Sequence, residues 1–95
     1  MRIKTAYVDE IDATIKTDRY QDGSLCLTLM SGHQPVCRIT VCIEGCPVRE
    51  NRCIVKNWSE NTGILHALVE AGVMRDTGIR IPTGFVEGCV CEYTP

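Results

Sequence analysis

Apolar and polar residues alternate along most of this chain with a period of two, the pattern of strands that bury one face and wet the other. Ile3, Thr5 and Tyr7 share a face in a first strand over 3–8, and a second short strand is expected near 13–17. Leu25, Leu27 and Leu29 then alternate with Ser24, Cys26 and Thr28, and Cys37, Ile39, Val41 and Ile43 continue the pattern over 36–43. Ser31-Gly32-His33-Gln34-Pro35 separates these two runs, so they read as a hairpin. Asp22-Gly23 predicts the turn before them, because both residues tolerate the positive φ of a tight turn. Gly45-Cys46-Pro47 ends the second run, Cys53 to Lys56 makes another short strand, and Phe85 to Glu92 a final one after Thr83-Gly84.

One segment changes period. Ile64, Leu65, Leu68 and Val69 recur at helical spacing, Ser59 or Asn61 suits the N-terminal cap, and Gly72 suits a left-handed C-terminal cap, which predicts a helix over about 60–71. Beyond it Val73 and Met74 are apolar and Thr77-Gly78 reads as a turn. Strands, then a helix, then strands, without regular βαβ alternation, predict an α+β fold. The expected architecture is an antiparallel sheet of about five strands, in hairpins, packed against one amphipathic helix, with residues 1–95 forming a single compact domain.

Composition narrows the functional classes. The 95 residues are 44% hydrophobic and 23% charged, as in soluble globular chains. A chain this short buries only about 60–65% of its unfolded surface, so self-association would help it, and a homodimer is expected. The net charge of −2 disfavours direct nucleic-acid binding and leaves a regulatory DNA-binding module as an outlying alternative. A DNA mimic is disfavoured too, because Asp9, Glu10, Asp12, Asp18 and Asp22 are offset by Arg2, Lys4, Lys16 and Arg19. The first residues lack an apolar signal segment and no apolar run approaches about 18 residues, so a cytoplasmic protein without a membrane span is expected.

Seven cysteines is a high and odd count, and in a reducing cytosol free thiols packed as small apolar residues are expected. Cys42 with Cys46 and Cys89 with Cys91 are the nearest pairs, a poor match to zinc knuckles. No metal and no cofactor is therefore expected, with a structural zinc module as an outlying alternative. Neither a Gly-x-Ser-x-Gly elbow nor a phosphate loop is present; His33 in a loop and His66 in mid-helix allow a pairing with a cysteine without showing one, and a chain this small has little concave volume to spare, so it does not read as an enzyme.

The polar clusters around aromatics are more informative. Asp18-Arg19-Tyr20-Gln21-Asp22-Gly23 and Lys56-Asn57-Trp58-Ser59-Glu60-Asn61 each set an aromatic among charges, and Trp, Tyr and Arg dominate binding hot spots. Asp18, Arg19, Tyr20, Trp58, Glu60 and Asn61 are the candidate partner contacts, with Tyr20 and Trp58 as anchors. The competing reading makes these two aromatics covers at the ends of the core. A second candidate is an anion or nucleotide site at the start of the helix, using Ser59, Thr62 and Gly63 with Lys56 and Arg80, in an oligomeric sponge.

Several stretches together, Asp18-Arg19-Tyr20-Gln21-Asp22-Gly23-Ser24-Leu25, Lys56-Asn57-Trp58-Ser59-Glu60-Asn61-Thr62-Gly63, Leu68-Val69-Glu70-Ala71-Gly72-Val73, Thr77-Gly78 and Gly84-Phe85-Val86, resemble domain of unknown function family 4313, small proteins of phages, plasmids and other bacterial mobile elements. The resemblance runs from about Tyr7 to Cys91. Cys26, Cys37 and Cys42 stand where the family has small or polar residues, and Glu10 to Lys16 reads as an insertion. The resemblance implies an accessory protein that acts by stoichiometric binding to a host protein, in the manner of anti-CRISPR inhibitors of host defence.

Overall fold

The structure, a computed structural model, describes residues 1–5, 8–43 and 50–95, and of Glu60 the backbone only. The expectations placed on Tyr7, on Gly45-Cys46-Pro47, on the Cys42 and Cys46 pair and on the side chain of Glu60 lie outside the described residues. Among the described residues eight strands form three sheets, not one sheet of five. They are β1 (Arg2–Ile3), β2 (Ile11–Asp12), β3 (Thr14–Arg19), β4 (Leu25–Ser31), β5 (Gln34–Arg38), β6 (Arg52–Val55), β7 (Met74–Pro82) and β8 (Glu87–Tyr93). The α+β class holds, with every pairing antiparallel: β1 with β2, then β3-β4-β5, then β6-β8-β7.

The two larger sheets meet at a joint that periodicity alone does not reveal. Residues 36–43 alternate as one strand, but β5 stops pairing with β4 at Arg38 and the chain turns to β6 instead. Ile39 N–H donates to Leu27 O at 2.9 Å on β4, while Val41 N–H donates to Ile54 O at 2.9 Å and Lys56 N–H to Ile39 O at 2.8 Å on the other sheet. Thr40, 1% exposed, closes the joint: its Oγ1 accepts the Leu27 N–H at 3.0 Å. A strand that changes sheets at a corner is a common way for two twisted sheets to enclose a core. That core takes Leu25, Leu27 and Leu29 from β4, Cys53 and Val55 from β6, Cys89 and Cys91 from β8, and Ile39 from the joint.

The helix is shorter than its apolar pattern suggests. A 3₁₀ turn covers Ser59–Asn61, and α1 runs from Ile64 to Glu70. Gly63, at φ 89°, takes the N-cap position, and the cap oxygen comes from further back: Asn57 Oδ1 accepts the Leu65 N–H at 3.1 Å. Gly72, at φ 78°, ends the helix as expected, with its N–H on Val69 O at 3.0 Å and the Val73 N–H on Leu68 O at 3.2 Å. These two bonds form a Schellman motif, which needs the left-handed residue. Ile64, Leu65 and Leu68 are buried, and α1 packs on β7; Val69, expected on that stripe, is 40% exposed because a two-turn helix presents only a narrow buried face.

Two further expectations are corrected. The first strand ends at Ile3, and Thr5 instead closes a turn, donating its N–H to Val8 O and accepting the Val8 N–H on Oγ1. Thr77-Gly78, read as a turn between elements, lies inside β7 as a bulge. Asp76 pairs with Cys91 and Arg80 with Cys89, so β7 uses two more residues than β8 over that interval. Gly78 at φ 84° makes the excursion possible, and Thr77 Oγ1 pins it by donating to Val90 O at 2.6 Å.

Candidate functional site

The bulge places Arg80 beside the segment that leaves β6. A groove of about 260 Å³ is lined by Asn57, Trp58, Arg80, Val86, Glu87 and Cys89, so Trp58 and Arg80, 22 positions apart in the chain, share one surface. Trp58 is half-buried, with its indole part wall and part surface. The Arg80 guanidinium is committed to Asp76, with Nη1 on Oδ1 at 2.8 Å and Nη2 on Oδ2 at 2.7 Å. This fork gives the groove a fixed cationic edge while Glu87 supplies an anionic one.

Arg80 lowers the Asp76 pKa to about 2, helped by the Gly78 N–H on Oδ1 at 2.9 Å. Because the folded-state value lies below the ordinary carboxylate one, the ion pair stabilises the fold above about pH 4. That stabilisation is lost as pH falls toward 2. The pair is one-third exposed, so solvent screening reduces the effect to about 1 kcal/mol. Asp76→Asn is expected to flatten the stability change between pH 4 and 2, measured by urea unfolding at each pH. An unchanged acid limb would assign that limb to other carboxylates.

Next to this groove stands the tip of the β7–β8 hairpin. Thr83 closes the tip on Val86, through its N–H at 2.8 Å and its Oγ1 at 3.0 Å, and Gly84 adopts φ 92°. Phe85, the only phenylalanine, sits between them fully exposed rather than opening the last strand, which begins at Glu87. Ile79 on the bulge is 48% exposed. The sequence pattern placed Phe85 at the start of the final strand; the signal against that was its position directly after Thr83-Gly84, where a hairpin turns outward.

The other predicted contacts lie elsewhere. Asp18 and Arg19 line a separate groove with Thr17 and Leu25. Asp18 Oδ1 accepts the Arg19 N–H at 2.8 Å, and Arg19 Nη1 donates to the carbonyls of Gly23 and Glu50, both at 3.0 Å. Tyr20 is half-buried and its hydroxyl donates to Thr40 O at 3.0 Å, so it braces the joint. Asn61 is 1% exposed: its Nδ2 donates to Arg38 O at 2.7 Å and its Oδ1 has no partner among the described residues. It is therefore placed in the interior, not at a surface.

The residues of the anion reading are only partly assembled. Ser59 and Thr62 are exposed, but the Thr62 Oγ1 donates to Ser59 O at 2.8 Å, and Asn57 already takes one N–H of the first helical turn. Lys56 is half-buried, Gly63 forms the left-handed cap, and Arg80 belongs to Asp76 in the other groove.

The thiols follow the apolar strands. Cys26, Cys53, Cys89 and Cys91 are buried, and Cys53 lies opposite Cys91 across β6 and β8. Burial pushes both of the latter up to about 12, so they remain neutral thiols at physiological pH. Among the described residues no cluster of three or more His, Cys, Asp or Glu side chains is arranged to hold a metal ion, and no helix is long and apolar enough to cross a membrane. No protein-family model, curated protein or solved structure matches the chain.

Proposed function

We propose that this chain acts by stoichiometric binding to another protein and that the binding surface is the Phe85 hairpin tip with the adjoining groove of Trp58, Arg80 and Glu87. One observation supports this most directly: the sole phenylalanine is held in water by a tight hairpin, next in sequence to a residue that lines the groove. Exposed aromatic side chains cost solubility and add nothing to the fold, whereas aromatics and Arg at the centre of an interface supply most of its affinity. The fitting partner offers an apolar pocket for Phe85, flanked by groups that complement Arg80 and Glu87. The groove and tip would be used without catalysis. A host-defence target of a mobile element is the part of this proposal that rests on the family resemblance alone.

Phe85→Ala tests it cleanly because Phe85 makes no core contact to lose. The expected result is an unchanged melting temperature with loss of a host protein that the wild-type chain retains at fixed stoichiometry from lysate. The loss should correspond to at least about 2 kcal/mol, or roughly thirtyfold in Kd. Equal retention by Phe85→Ala and Trp58→Ala would sink the assignment of this surface.

A further inference from the structure

We propose that the outer edge of β3 pairs with the same edge of a second copy of this chain, in antiparallel register with Thr17 on the two-fold axis. This inference is independent of the Phe85 surface. β3 ends the sheet order β3-β4-β5, so among the described residues its outer side has no strand partner. The hairpin fixes which groups face outward. The Tyr20 N–H bonds Ser24 O at 2.9 Å, making that position an inward, hydrogen-bonded pair, and Asp18 with Cys26, Lys16 with Thr28 and Thr14 with Met30 follow at every second residue. The N–H and C=O groups of Ile15, Thr17 and Arg19 therefore point away from β4. In keeping with this, the Arg19 N–H is met by its neighbour Asp18 Oδ1 at 2.8 Å rather than by a strand.

Two copies pairing along this edge must match outward residues with outward residues, which leaves few registers. A two-fold axis at Lys16 places like charges, Lys16 and Lys16, face to face, and an axis at Asp18 does the same with two aspartates. An axis at Thr17 sets Lys16 against Asp18 of the second copy, twice, and Ile15 against Arg19. Those Lys–Asp pairs fall at the non-hydrogen-bonded positions, where side chains approach most closely. On association the Arg19 N–H exchanges its Asp18 oxygen for the carbonyl of Ile15 in the other copy, and that Asp18 is released to meet Lys16. Charges on an edge usually block indiscriminate pairing; here they block two registers and favour one. β3 has no bulge or proline to interrupt the ladder, whereas β7, at the edge of the other large sheet, has both a bulge and Pro82.

Six residues of edge pairing bury less than a standard interface, so the dimer should be reversible, with Kd in about the micromolar range. Sedimentation velocity of the full chain in reductant, from about 1 µM to 1 mM, should show concentration-dependent dimerisation. Lys16→Asp and Asp18→Lys should each weaken it about tenfold or more, since each opposes like charges twice. An equimolar mixture of the two variants should recover dimers, because one copy then offers two acids and the other two bases. Thr17→Pro, which removes only an outward N–H, should abolish dimers while leaving the β3–β4 ladder intact. A wild-type monomer throughout the range, dimers of undiminished strength in both charge variants, or a mixture no tighter than either variant alone would each overturn the proposal.

Discussion

Leu27→Ala is expected to lower the stability of the folded chain by about 3 kcal/mol, within the range for deleting a large buried aliphatic side chain. Leu27 has no exposed surface and sits on β4, the middle strand of its sheet, in the core shared with Cys53 and Val55 of the other sheet. Its neighbours are strand residues pinned by ladders on both sides, so the cavity cannot collapse easily. A domain of this size has about 5–14 kcal/mol in total, and a Tm fall on the order of 15 °C is expected in a thermal melt. Val69→Ala, on the exposed side of α1, should shift Tm by no more than a few degrees. Similar losses at the two sites would mean that β4 is not the centre of the core.

Thr40→Val has the second-largest expected effect, although it preserves shape and adds a methyl group. The Leu27 N–H would lose the acceptor it has among the described residues, in a place where water does not reach, since Thr40 is 1% exposed. A buried donor left without a partner costs about 1–3 kcal/mol, and the midpoint of urea unfolding should fall accordingly. Tyr20→Phe should cost less, because the hydrogen bond it removes is only part-buried and Tyr20 itself is half-exposed to water. A loss below about 0.5 kcal/mol for Thr40→Val would show that the Leu27 N–H finds another acceptor.

The strands around Leu25–Leu29 and Cys53–Val55 and the helix end at Gly72 were legible because each rests on a local rule: alternation, or a glycine at a left-handed position. The joint at Thr40 was not, since alternation continues unbroken through Ile39 and Val41 while the hydrogen-bonding partner changes from β4 to β6. β7 was missed for the opposite reason: a local turn signal, Thr77-Gly78, sits within a strand whose continuity depends on tertiary pairing with β8. At the candidate site Trp58 was recognised by residue type and Arg80 by charge, but their meeting depends on that bulge. Asn61 has the composition of a surface residue and the placement of a core one; its amide replaces the missing partner of Arg38 O, a requirement no sequence pattern encodes.

The joint also decides how the molecule comes apart. Because the 39–41 segment is hydrogen-bonded to β4 on one side and β6 on the other, neither large sheet can open along that line without breaking backbone bonds that the other sheet shares. Proteins whose layers touch only through side chains can lose one layer and keep the other; here the shared segment couples them, so partial unfolding of one sheet exposes the edge of its neighbour. Cooperativity in this chain is thus carried by three consecutive residues of main chain, and the β7–β8 tip and the outer edge of β3, the two surfaces proposed for binding, both lie outside them.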